Sequence, residues 1–285
     1  MENSIQIYLA NGIDESLVGL ELGGWKIKII HENPTDQDGL SDGLQYPHRI
    51  LDLSTFFPNY YCSTENPHCL YLEKRMVNPF DIRSVIDACR LFKLSKIGLY
   101  YPISANVEGG CIINALGAYA YENKNHIDNL EVFSLTDAEY EGLQELYKKL
   151  LEPPSDSVKR MLDLFHEAYR TENPYIAFIL RITVLEMLIE GNAELSFRLS
   201  RSVAVLLGKN KDESSEIYDN CKKMYSARSA FLHDGSASKI KKEYRLLALD
   251  YSRRIIANLL NKDLKQVRNT LEACGFGDNP YSVDF

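Results

Sequence analysis

From Thr136 to Gly275 the apolar residues recur at the three-to-four-residue spacing of amphipathic helices, and most runs open on a capping residue or close on a glycine. Such a chain folds as a stack of helices joined by short turns. Thr136-Asp-Ala-Glu139 is a capping box, with Tyr140, Leu143, Leu146, Tyr147 and Leu150 as the stripe behind it. Pro153-Pro154 then breaks the chain and marks a domain boundary. Further helices follow. The first carries Val158, Met161, Leu162, Phe165 and Tyr169. The second has Asn173 as cap and Pro174 in its first position, and ends before Gly191. It is apolar nearly all round, which predicts the central buried helix. The rest span about Leu195–Leu207, Ser214–His233, Lys239–Asn261 and Asp263–Cys274, with Gly208, Gly235 and Gly275 as stops.

Ahead of this region the periodicity is closer to two. Ile5–Leu9, Trp25–Ile30, Arg49–Leu53, Cys69–Leu72, Ile97–Tyr101 and Leu130–Phe133 read as strands. Gly23-Gly24, Asn33-Pro34, Asp42-Gly43 and Gly109-Gly110 read as turns, and 34–44 as a loop. One helix interrupts them, capped by Asn78 with Pro79 behind it, and carrying Ile82, Val85, Ile86, Cys89 and Leu91. The fold class is therefore an α+β N-terminal domain followed by an all-α bundle. The domains are 1–135, a linker helix with its Pro-Pro break over 136–154, and 155–285.

Composition narrows the function classes. The chain is 45% hydrophobic and 25% charged, which excludes whole-chain disorder. Net charge is −8, against a nucleic-acid-wrapping footprint over the whole chain. The two halves differ, however. Residues 1–150 hold 12 basic and 21 acidic side chains, a net of −9; residues 151–285 hold 20 and 19, a net of +1. Any contact with RNA or DNA is therefore expected in the second half rather than the first. Met-Glu-Asn-Ser-Ile-Gln lacks the basic and apolar regions of a signal peptide. The longest apolar stretch, Tyr175–Ile189, falls short of the ~20 residues that span a bilayer, and Arg181 and Glu186 interrupt it. These features predict a cytoplasmic protein with reduced cysteines and no membrane partner.

Tyr225-Ser-Ala-Arg-Ser-Ala-Phe-Leu-His-Asp-Gly235 carries the most chemistry. It places Arg228, Ser229 and His233 in the last turns of a helix. A histidine there feels the negative end of the helix dipole, which favours its protonated form. An arginine about one turn earlier offers a fork of donors to a phosphate. The pair suffices for metal-free RNA cleavage: the imidazole moves the proton of the 2′-hydroxyl or of the leaving oxygen, and the guanidinium stabilises charge on the phosphorane.

Residues 155–275 resemble a HEPN domain of the Apea-like branch, whose signature is an Arg, a polar residue, a few further positions and a His. Arg228-Ser229-Ala-Phe-Leu-His233 fits it, and the stretches Arg181–Leu188 and Glu194–Gly208 are similar to the helices that precede it in that branch. The resemblance implies a homodimer in which two Arg/His pairs meet across the interface. It also implies a metal-independent endoribonuclease, often in bacterial antiviral or toxin-like systems, that needs no cofactor. Some members are inactive scaffolds that dimerise or bind RNA. The N-terminal domain would then gate the nuclease or recognise a protein or ligand trigger. HEPN toxins silenced by a nucleotidyltransferase commonly carry Tyr two residues after the His; Gly235 stands here, so tyrosine modification is not expected.

Other residues are weighed against plainer roles. Arg228 and His233 could also simply tie helices together. Glu186, in an apolar helix, needs a cation or donors nearby and can support Arg228 from the neighbouring helix. Ser229 supports the site or is an ordinary helix residue. Arg198, Arg201, Lys222 and Lys223 line an RNA groove or form a solvated face. Arg160 and His166 form a second Arg/His pair, read as a solvated face. Cys62, His68 and Cys69 lack the spacing of a zinc site, and no second ligand pair follows. No metal is expected.

Overall fold

The computed structural model describes residues 4–14, 17–31, 68–75, 82–108, 111–116, 130–191 and 193–281. The chain divides into two compact units, and the division falls between Tyr147 and Lys148. The short stretch Arg90–Leu94 belongs with the second unit.

The first unit is built on a six-stranded antiparallel sheet of order β2-β3-β4-β1-β5-β6. Its strands are β1 (Ser4–Asn11), β2 (Glu21–Leu22), β3 (Trp25–His31), β4 (His68–Arg75), β5 (Gly98–Glu108) and β6 (Cys111–Leu116). β1 lies inside the sheet, with Ile7 opposite Glu73 on one side and Ile103 on the other. The β1–β5 register slips between Tyr8 and Leu9, beside Pro102, which has no N–H to give the ladder. Helix α1 (Ile82–Phe92) buries Ile82, Val85, Ile86, Cys89 and Leu91, the stripe expected from its spacing. Helix α2 (Asp137–Leu151) starts at the predicted capping box: the Thr136 backbone N–H donates to the Glu139 carboxylate at 2.9 Å, and the Glu139 N–H to the Thr136 hydroxyl at 3.3 Å. Gly23 turns the chain between β2 and β3 at φ +61°, where a Cβ would strike the Tyr147 hydroxyl.

The second unit is helical: α3 (Asp156–Arg170), α4 (Pro174–Glu186), α5 (Leu195–Leu207), α6 (Lys211–Asp234), α7 (Lys242–Leu259) and α8 (Leu264–Ala273). The Asn173 side chain accepts from the Tyr175 and Ile176 N–H groups, so α4 starts at the predicted cap. α4 packs against α3, α5, α6 and α7 and buries Phe178, Ile182 and Leu185, as its all-round apolarity requires. α5 ends at Gly208, α6 at Gly235 in the left-handed region, and Asp263 caps α8 through the Gln266 N–H.

Several expectations are corrected. Leu130–Phe133 is not a strand; Phe133 makes a single parallel bridge to Ile13. A further strand, β6, follows Gly109-Gly110, where the pattern predicts only a turn. α6 starts at Lys211 rather than near Ser214, because Asn210 accepts from the Glu213 N–H while the Glu213 carboxylate accepts from the Lys209 N–H. His166 is not on a solvated face: it is 4% exposed, one turn from Leu162 on the buried side of α3, while Arg160 is exposed. The predicted strand Arg49–Leu53, the 34–44 loop, the Asn78-Pro79 cap and Cys62 lie outside the described residues. Among the described residues no helix is long and apolar enough to cross a membrane.

Candidate functional site

The site grows from the C-terminal turns of α6. Residues four apart on a helix stack on one face, so Tyr225, Ser229 and His233 form a row. All three line an open cleft of about 330 Å³, joined by Ser196 from the start of α5 and Lys239 from the turn after α6. His233 is exposed. The helix stops at Asp234, and Gly235 then takes φ +66°, its N–H donating to the Phe231 carbonyl at 3.1 Å.

Arg228 lies elsewhere on the helix. Five positions separate it from His233, which at 100° per residue turns it about 140° away around the axis. It does not line the His233 cleft. Its Nη2 donates to Glu186 Oε2 at 3.1 Å, and the two side chains are 24% and 22% exposed. Glu186 is the last residue of α4, so the pair ties α4 to α6. Burial pushes the Glu186 carboxyl above its ordinary range, and the Arg228 charge only partly offsets this. Arg228 also stands 6.0 Å from the centre of the Tyr225 ring, and its Nε is buried with no hydrogen-bond partner. The Glu186 carboxylate thus fixes the guanidinium through Nη2, with the Tyr225 ring beside it.

The four basic residues expected along an RNA groove separate into two groups. Lys222 and Lys223 are exposed on α6, with the Lys222 amine 5.4 Å from the Tyr218 ring centre. Arg198 and Arg201 are on α5 and are engaged by the fold. Arg201 donates to the carbonyls of Leu271, Glu272 and Cys274, closing the C-terminus of α8. Arg198 donates to the Glu190 carbonyl and lies 3.7 Å from the Glu272 carboxylate. Neither arrangement was legible, because each depends on which helix end the fold brings beside the guanidinium.

Ser196, Tyr225 and Lys239 join the cleft without having been marked by the Arg228–His233 motif. The spacing Tyr225-Ser229-His233 was available as a signal for the tyrosine; nothing local pointed to Ser196 or Lys239. An apolar patch sits at the same end of α6. Tyr175 stacks on Phe231 with ring centres 6.0 Å apart, and Ile176 and Leu232 are exposed. Among the described residues no group of three or more His, Cys, Asp or Glu side chains could hold a metal. Cys221 is buried, which pushes its thiol well above the usual range and away from nucleophilic work. Comparisons with family models, with curated proteins and with solved structures returned no significant match to this chain.

Proposed function

We propose that the helical unit is a metal-independent endoribonuclease of HEPN type, working as a homodimer in bacterial antiviral defence or a toxin-like stress response, and gated by the N-terminal unit. The observation that carries this reading is that α6 bears both an exposed His233, in an open cleft with Ser229, and an Arg228 guanidinium steadied by Glu186 of α4. His233 would act as general acid and base on the 2′-hydroxyl and the leaving oxygen, with Ser229 one turn away to orient it. Arg228 would bind the scissile phosphate and stabilise the phosphorane. RNA supplies its own nucleophile, so the chemistry asks for no cofactor.

Arg228 and His233 diverge around α6, so one copy does not focus both on one phosphate. A second copy answers this. The patch of Tyr175, Ile176, Phe231 and Leu232 lies at the His233 end of α6, and its burial against a twin would bring two such helix ends together.

One observation favours a second reading. The Glu186–Arg228 pair also serves as a helix–helix tie, which suits a scaffold that dimerises or binds RNA without cutting it. The deciding experiment incubates the full chain with mixed RNA in EDTA, beside His233→Ala and Arg228→Ala. Cleavage that leaves 2′,3′-cyclic ends and vanishes in both variants supports the enzyme. Bound but intact RNA in all three favours the scaffold.

A further inference from the structure

A second cleft, of about 400 Å³, opens between α5, α8 and the segment after α4. It shares no side chain with the cleft at His233. Four cations line it: Arg198, Arg201, Lys265 and Arg268. Two carboxylates partly answer them, Glu190 paired with Arg268 and Glu272 with Arg198. Arg201 spends its bonds on neutral carbonyls, and neither it nor Lys265 has a carboxylate partner among the described residues. The arginines are also fixed in place. Arg268 donates to the carbonyls of Leu188 and Met187 at the end of α4, and Arg201 closes the end of α8. Four cations against two carboxylates leave the lining net positive, with Lys265 unpaired among the described residues and Arg201 answered by neutral carbonyls alone. Such a surface favours an anion.

The other wall is aromatic. Phe197 lines the cleft at 49% exposure, an unusual state for a large apolar ring in the first turn of a packed helix. Tyr218 meets it edge-on with ring centres 6.3 Å apart and sets its orientation. The first turn of α5 carries no acidic residue and no side-chain cap bond, so the positive end of its dipole adds to the field, against the negative end of α8 that Arg201 closes. The volume falls within the ~300–1,000 Å³ of small-molecule pockets, more than a bare phosphate fills. A flat ring beside an unpaired lysine and a fixed arginine is the chemistry that holds a base by stacking and its phosphate by charge.

We propose that this cleft binds a nucleoside phosphate, with the base on Phe197 and the phosphate on Lys265 and Arg201. The phosphate can belong to a free nucleotide or to one residue of an RNA strand. Titration calorimetry of the full chain with AMP, adenosine and a short 2′-O-methyl oligoadenylate, which has no free 2′-hydroxyl to attack its phosphates, tests it. AMP should bind more tightly than adenosine, and raised salt should weaken AMP alone. Lys265→Glu and Phe197→Ala, both at exposed positions, should each weaken binding about tenfold. AMP saturating at one per chain identifies a free nucleotide. Binding of oligoadenylate alone, weakened by the same two substitutions, identifies a strand. His233→Ala should change neither. Failure of both phosphate ligands to bind overturns the proposal, as does binding indifferent to Lys265 and Phe197 or abolished by His233→Ala. None of these outcomes depends on whether the chain cleaves RNA.

Discussion

Arg228 on α6 and Glu186 at the end of α4 meet at 3.1 Å, yet the Glu186 carboxyl is held above its ordinary range rather than below it. Desolvation outweighs the neighbouring charge. A carboxyl raised in the folded state adds stability while protonated and loses it as pH rises through its folded value. Wild type should therefore lose stability relative to Glu186→Gln as pH climbs from about 4.5 toward neutrality. Thermal melts of both proteins across that window check the sign. A gap that widens in favour of wild type would mean that the Arg228 charge outweighs desolvation. Glu186→Ala removes the acceptor altogether and should cost about 1–3 kcal/mol.

In the proposed reaction Arg228 acts through the geometry of its fork, not only through its charge. Arg228→Lys keeps the charge but loses the planar donors and the span to Glu186. Cleavage should fall about tenfold or more in Arg228→Lys, and about 10²–10³-fold in Arg228→Ala. Initial rates at saturating RNA separate the two. Full activity in the lysine variant would reduce Arg228 to a diffuse cation.

Two helix-ending glycines should respond differently to alanine. Gly235 sits at φ +66° with nothing within 4 Å of a built Cβ, so Gly235→Ala costs only backbone strain, about 1 kcal/mol. Gly208 has an ordinary φ of −77°, but a Cβ there would lie 2.7 Å from the Ser214 Cα and 2.8 Å from its N. Backbone cannot yield as a side chain can, so Gly208→Ala should cost about 3 kcal/mol. Denaturant midpoints of both variants give the comparison, and an equal loss would refute it.

What the sequence made legible is what is decided within a few residues. Thr136, Asn173, Asp263 and Gly235 cap or stop their helices where local chemistry places them. The start of α6 was misjudged because Lys211-Asp-Glu-Ser-Ser reads as polar loop, although Asn210 and Glu213 form a reciprocal cap. Strand identity failed at Leu130–Phe133, where pairing depends on a partner more than 100 residues away. Ser229 and His233 share a face by helix geometry alone. The Arg228–Glu186 contact spans 42 positions, and only the packing of α4 on α6 brings it about. The same holds for Arg201 and Arg268, whose surface-type residues became caps for distant helix ends.

Arg181 poses the opposite case, a charge the fold buries without answering. It is 2% exposed, on the central helix α4. It donates to the Ala168 carbonyl at 3.3 Å and stands 5.8 Å from the Tyr169 ring centre, while its Nε has no partner. No carboxylate pairs with it among the described residues, and burial depresses its pKa to about 10, with Arg245 and Arg90 adding repulsion against the pull of Tyr169. One hydrogen bond and a weak ring contact supply about 1–2 kcal/mol, whereas stripping water from a charge costs several. Methionine fills similar volume without that cost. Arg181→Met should therefore melt at or above wild type at pH 7, and Arg181→Ala below it because of the cavity it leaves. The sign with pH follows from the depressed value: the charge costs stability below about 10, and the cost fades above. Any advantage of Arg181→Met should shrink as pH rises past 10. A methionine variant that is much less stable at pH 7 would mean that the guanidinium has a counter-charge in the folded protein.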